Sequence, residues 1–388
     1  MRLVQRFALA IACASLVSAN LSAAKRKISE AEVQSVHRAA LLIDTHNDVT
    51  SATVDGFDIG STGSKRHTDL TRLKAGGVGA VFFAAYAAAE HAAARTSASR
   101  ALQMIDTIRT DIVGRYPNDF VLATSAEEIE AAGRRGQIAA LIGIEGGHAI
   151  EDSLRLLRCF YALGVRYMTL THTNTNSWAG SSGDTGSPAS GHRDGLTDFG
   201  RQVVAEMNRL GMMVDISHVS DKTFWEVLET SRAPVFASYS SCRAICNVAR
   251  NMTDEMIQAM AKKGGVIQIN FYSAFLSQRS AGADRAARNA NPAGEQPAPP
   301  AATLEDVVAH INHVVKIAGP GAVGIGSDYD GTNSMPAGLD DVSQFPNLTR
   351  ALLEEGYSAA DIRKIYGGNT LRLMRAVERT AVRLTNKP

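Results

Sequence analysis

The chain has 388 residues, with 40 basic and 39 acidic side chains, 45% hydrophobic residues and four cysteines. So even a charge excludes nucleic acid or another polyanion as the natural partner, since such partners call for a surplus of Lys and Arg. At this length a hydrophobic core can stand without cross-links, so a disulfide framework is not needed.

The chain opens on a leader-like segment. Arg2 and Arg6 precede an apolar run from Phe7 to Val17, and small residues follow as far as Ala24, so residues 1–24 are expected to be a cleaved secretory signal. The run is too short to span a bilayer, and no transmembrane segment is expected in the mature chain. Lipoprotein anchoring at Cys13 is not expected, because Ala10 is a poor match to the large apolar residue that acylation sites carry. The mature protein is therefore expected to be exported, periplasmic or secreted. Removing the leader takes away two arginines and no acid, leaving 38 basic against 39 acidic residues. Cys159, Cys242 and Cys246 remain, an odd number that leaves at least one thiol free.

Residues 25–388 are expected to form a single domain, because short β-rich runs alternate with amphipathic stretches along their whole length. The strand candidates are Ala39 to His46, Val78 to Tyr86, Ala139 to Glu145, Val165 to His172, Met212 to His218, Pro234 to Tyr239, Gly265 to Phe271 and Ala322 to Asp328. Eight parallel strands close a ring, so the predicted fold class is α/β, a TIM-like (β/α)8 barrel. The connectors agree. Leu196, Phe199, Val203, Val204, Met207 and Leu210 follow helical spacing up to a stop at Gly211. Thr303 can cap a helix through Leu304, Val307, Val308, Ile311, Val314 and Val315 that ends at Gly319-Pro320-Gly321. Ser280 to Ala302 breaks the pattern. Rich in Ala, Pro, Asn and Gly and without apolar period, it reads as a loop insertion at about 280–302, placed at the mouth of the barrel where it could cover a site.

The chemistry lies where the strands end. Parallel barrel strands bring their C-terminal ends to one opening, and catalytic groups come from several of them. These ends carry His46 and Asp48, Glu145 with His148 just beyond, His172, His218, Tyr239 and Asp328. Singly, each has an ordinary reading as a turn former or hydrogen-bonded support, and His148 is expected to be such a support. Together they form a nitrogen and oxygen donor set of the kind that suits zinc and its neighbours. Such a set fits metal-assisted hydrolysis, with Glu145 placed to bridge two ions and Asp328 to receive a proton from water and pass it to a leaving amine.

The runs Asp44-Thr45-His46-Asn47-Asp48, Gly143-Ile144-Glu145-Gly146-Gly147-His148, Thr169-Leu170-Thr171-His172, Asp215-Ile216-Ser217-His218-Val219-Ser220 and Gly326-Ser327-Asp328-Tyr329-Asp330-Gly331 resemble, in order and spacing, those of the membrane (renal) dipeptidase family, the M19 metallopeptidases. The resemblance implies a barrel with two Zn2+ ions that hydrolyses dipeptides, including some with a C-terminal D-residue, and a homodimer. Carried over by position, it implies that His46, Asp48 and Glu145 hold one zinc and that Glu145 and His218 serve the second. It makes His172 a substrate-binding residue near the scissile carbonyl and Asp328 the acid/base that also recognises the free amino group. Arg250, in Val248-Ala249-Arg250-Asn251-Met252, becomes the clamp on the substrate carboxylate, for which a planar fork is suited.

At one position the chain departs from the family. Where the family carries Ser-His-Ser, with the histidine as the remaining ligand of the second zinc, this chain has Ser238-Tyr239-Ser240. A phenol offers a poorer lone pair at neutral pH than an imidazole, so Tyr239 is a doubtful ligand. The expectation is that the first ion site survives and the second is weakened. Two other readings stay open: a metal-dependent amidohydrolase acting on lactams or N-acyl amino acids, and a binding protein that has lost turnover through Tyr239.

Overall fold

The computed structural model describes residues 27–184, 194–291 and 297–386, so the expected leader lies outside the described residues. Among the described residues there are nine strands: β1 (Leu42–Asn47), β2 (Val78–Tyr86), β3 (Phe120–Leu122), β4 (Ile138–Glu145), β5 (Val165–Thr169), β6 (Met213–Asp215), β7 (Phe236–Ser240), β8 (Val266–Ile269) and β9 (Val323–Ile325). All pairs are parallel, in the order β1-β2-β4-β5-β6-β7-β8-β9. The seam closes just past β9, where Asp328 N donates to His46 O at 3.0 Å and Asp48 N to Tyr329 O at 2.8 Å. The result is the expected TIM-like barrel of eight strands, nearly closed. The additional β3 pairs only with β4 and lies off the ring.

Every residue of β4 is buried, as parallel strands covered on both faces require. Alternate residues divide between two cores, the consequence of a side-chain period of two. Ile43, Phe82, Leu141, Tyr167, Met213, Phe236 and Val266 pack together inside the ring. Val81, Phe83, Ile142 and Met168 face outward to Leu157, Val203, Phe224, Ile257 and Val307 of the surrounding helices.

Both predicted helices form. Asp198–Leu210 ends at Gly211, whose φ of 85° is the left-handed conformation glycine adopts freely. Leu304–Ala318 begins with a capping box in which Thr303 and Asp306 each satisfy the other's backbone N–H. The 280–302 insertion departs from expectation, because Gln278–Ala290 is a helix. Alanine-rich sequence favours helix without any apolar stripe, and only Ser280 and Ala281 of this helix are buried, so no period marked it. It does stand at the barrel mouth: Tyr272 donates from its hydroxyl to Asp284 at 2.9 Å, and Arg288 from the helix reaches the central cavity.

Candidate active site

A cavity of about 530 Å³ opens at the C-terminal end of the barrel, lined among others by Asp48, Tyr86, Glu145, His172, His218, Tyr239 and Asp328. Two buried carboxylates hold the strand ends that supply these groups. Asp44 accepts from Ser327 N at 2.8 Å and Ser327 Oγ at 2.6 Å, fastening β1 to the end of β9. Asp215 accepts from Thr169 Oγ1 at 2.5 Å, Ser217 N at 3.0 Å and Ser238 N at 2.8 Å, tying together the ends of β5, β6 and β7. His218 and Asp328 then leave their strands with φ of 66° and 64°. Non-glycine residues enter this left-handed region at a cost, and such strain gathers at functional sites, where it aims a side chain.

His46 is wholly buried. Its Nδ1 is held by the Tyr167 hydroxyl at 2.9 Å. Its Nε2 faces Asp48 Oδ2 at 3.2 Å and Glu145 Oε2 at 3.6 Å and makes no hydrogen bond. Burial works to lower the imidazole's pKa, but Tyr167, Asp48 and Glu145 outweigh it and hold it well above the ordinary value. Glu145 goes the other way: despite burial, the neighbouring His46, His172 and His218 keep its carboxylate well below the usual range. Asp328 is pushed up to about 8 by burial and by the neighbouring Asp48, while Asn270 Nδ2, donating to Oδ2 at 2.9 Å, opposes the rise.

Two groups of potential ligands result, each with its donor atoms within 4.8 Å of one another: His46, Asp48 and Asp328, and Glu145, His172 and His218. The first fits a borderline dication well. It combines one imidazole with carboxylates, and it leaves a buried ring nitrogen with no other partner. In the second, Glu145 Oε1 lies 3.4 Å from His172 Nε2 and 3.4 Å from His218 Nε2. The Tyr239 hydroxyl stands between two of these members, donating to Glu145 Oε1 and paired with His218 Nε2.

The structure therefore brings Asp48, Glu145, His172, His218, Tyr239 and Asp328 to one cavity, with the wholly buried His46 against Asp48 and Glu145 and with His172 grouped beside Glu145 and His218. His148 stands apart as a support, its Nε2 donating to Ala87 O at 2.8 Å. The guanidinium of Arg250 lies 4.4 Å from the Tyr239 ring centre and 5.5 Å from that of Phe275, with none of its nitrogens hydrogen-bonded. It thus sits against the rings of two residues that line the cavity. Tyr167 and Asn270 were not expected. For Tyr167 a signal existed: Gly143 is its partner across β4 and β5, and a Cβ on Gly143 would run into the Tyr167 ring, so the glycine marks a bulky neighbour.

The geometry agrees with comparisons to known proteins. A family model described as membrane dipeptidase, peptidase family M19, matches residues 30–388. An uncharacterised dipeptidase of Schizosaccharomyces pombe is 34% identical over 94% of this chain and 86% of its own length. The probable dipeptidase PvdM of Pseudomonas aeruginosa superposes with a TM-score of 0.81 at 27% identity, covering 90% of this chain and 98% of that one. A metallopeptidase of Rhodobacter sphaeroides, whose structure holds a phosphinate mimic of the dipeptide L-Ala-D-Ala, gives a TM-score of 0.73 at 27% identity, over 87% of this chain and 99% of that one.

Proposed function

The chain belongs to the membrane dipeptidase family, peptidase family M19, and is a metallo-dipeptidase; within that class we propose an exported zinc enzyme that hydrolyses dipeptides, including those with a C-terminal D-residue. The observation that carries the reading is His46 Nε2, buried without a hydrogen bond and facing the carboxylates of Asp48 and Glu145. The dipeptide mimic held by the Rhodobacter sphaeroides relative supports the substrate class and the D-residue. No helix among the described residues is long and apolar enough to cross a membrane; export rests on the leader-like residues 1–24, and a homodimer on the family resemblance.

Zinc held by His46, Asp48 and Glu145, with His218 beside Glu145, would supply Lewis acidity and a water acidic enough to attack at neutral pH. The protein's own groups do the rest. Asp328, buried at the cavity wall, can in its ionised form take a proton from the attacking water and deliver it to the amine nitrogen as the C–N bond breaks. Asn270 fixes Oδ2 and leaves Oδ1 to exchange that proton. Gly331 keeps the approach open, because a Cβ there would run into Asp328 Oδ1 and Asp48 Oδ2. His172 meets the substrate near the scissile carbonyl, and Arg250 receives its terminal carboxylate. The cavity is large enough for a dipeptide.

The test is a panel of L,L and L,D dipeptides assayed with chelator and again after zinc is restored. Zinc-dependent cleavage of the peptide bond is expected. If no dipeptide is cleaved while an N-acyl amino acid or lactam is, the protein is an amidohydrolase of another substrate class. If nothing turns over but dipeptides bind, it is a binding protein.

A further inference from the structure

Tyr239 is anchored from three directions. Its ring lies on His46, with centres 3.6 Å apart and planes 8° from parallel. The Arg250 guanidinium, 4.4 Å from the same ring centre, must take the opposite face, since two groups cannot share one face at these distances. The hydroxyl reaches Glu145 Oε1 and His218 Nε2. The side chain is 2% exposed.

Those two contacts join the atoms that a second ion would join. Glu145 and His218 belong to the second group of donors, and the phenol oxygen stands between them. We infer that the Tyr239 hydroxyl replaces the second metal ion, so that this dipeptidase holds one zinc, at His46, Asp48 and Glu145, and keeps Glu145 and His218 together through a neutral phenol. The inference rests on the zinc site of the proposed function. Proton bookkeeping supports it. A phenol has one proton, and if it is given to the carboxylate of Glu145, the phenol oxygen must accept from His218 Nε2–H. That nitrogen then has no lone pair to offer an ion. Arg250 adds a fixed positive charge beside the same place, which disfavours a dication there.

The test is zinc stoichiometry, read without reference to turnover. Metal-free protein is loaded with excess Zn2+, dialysed, and analysed for metal. One retained ion per chain is expected for the wild type and two for Tyr239→His. Two equally retained ions in the wild type would overturn the inference, and so would none. A second measurement keeps the matter open to refutation if Tyr239→His fails to fold. The ultraviolet difference spectrum of the wild type on adding Zn2+ should show no tyrosinate band, whereas a band that is lost in Tyr239→Phe would mean that the phenolate is itself a ligand, and would overturn it. One retained ion with no dipeptide cleaved would sink the proposed function and leave this inference standing.

Discussion

The phenol ring of Tyr239 lies flat on the imidazole of His46, and its hydroxyl donates to Glu145, so one side chain braces two of the residues that would hold the first zinc. The ring and the hydroxyl separate by mutation. Tyr239→Phe keeps the stack but leaves a buried carboxylate oxygen short of a donor, and should lower the free energy of unfolding by about 1–3 kcal/mol. Tyr239→Ala also removes the ring from between His46 and Arg250, and should cost about 3–5 kcal/mol. Urea unfolding of the two variants measures both; equal losses would mean that the stack contributes nothing.

Asn270 holds Asp328 by one oxygen, with Nδ2 at 2.9 Å from Oδ2, and its own Oδ1 accepts from Tyr272 N at 2.5 Å. Asn270 is therefore a positioning residue. Asn270→Ala should leave the Asp328 carboxyl free to rotate, and a misplaced reacting group of this kind costs about a hundredfold in rate. Steady-state kinetics on a cleaved dipeptide should show kcat falling by about ten- to a hundredfold while KM changes little. A rise in KM at constant kcat would assign Asn270 to substrate binding instead.

The barrel was legible because parallel strands buried on both faces read as apolar runs, and each run from Ala39 to Asp328 ends close to an observed strand. The helix Gln278–Ala290 was not, since it buries too little to carry an apolar stripe. Much of the site was legible for the same reason as the barrel: a His, Asp or Glu that closes an apolar run has to face the common opening. Tyr167 was hidden because a tyrosine inside Val165–Thr169 reads as one more core residue, and only the paired Gly143 shows that its ring needs space. The pairing of the Tyr239 hydroxyl with His218 and Glu145 could not be read either. It depends on the irregular register between Ala237 and Ser240, which an alternating pattern does not encode.

Arg250 carries an unpaired, half-buried charge, with none of its guanidinium nitrogens hydrogen-bonded. Such a charge is costly to bury, and replacing it with an apolar chain of similar length should relieve the cost. Arg250→Met is expected to raise the free energy of unfolding of the ligand-free protein by about 1–2 kcal/mol, less whatever its contact with the Tyr239 ring contributes. The same variant should raise KM for dipeptides by about tenfold or more, the loss of a charge-assisted pair. Dipeptide amides, which lack the carboxylate, should be handled alike by both proteins. If the variant discriminates against amides as strongly as the wild type does, Arg250 is not the carboxylate clamp.

His310 provides a prediction about acid stability. It is fully buried, its Nε2–H donates to Leu276 O at 3.0 Å, and its Nδ1 accepts from Cys242 N at 3.0 Å. Both bonds require the neutral ring, and burial pushes its pKa down to about 4. The sign follows from proton binding. Below its ordinary pKa of about 6.5 the unfolded chain takes up a proton at this ring, while the folded chain does not until about pH 4, so acid favours unfolding throughout that window. Each pH unit within it removes about 1.4 kcal/mol. Between about pH 7.5 and about pH 5 the wild type should therefore lose about 2 kcal/mol through this residue. His310→Gln keeps a donor and an acceptor but cannot titrate, so its loss over the same interval should be smaller by that amount; the other histidines contribute equally to both proteins and cancel. Urea unfolding of the two proteins at the two pH values decides it, and parallel losses would show that His310 is protonated in the folded protein as readily as in the unfolded chain.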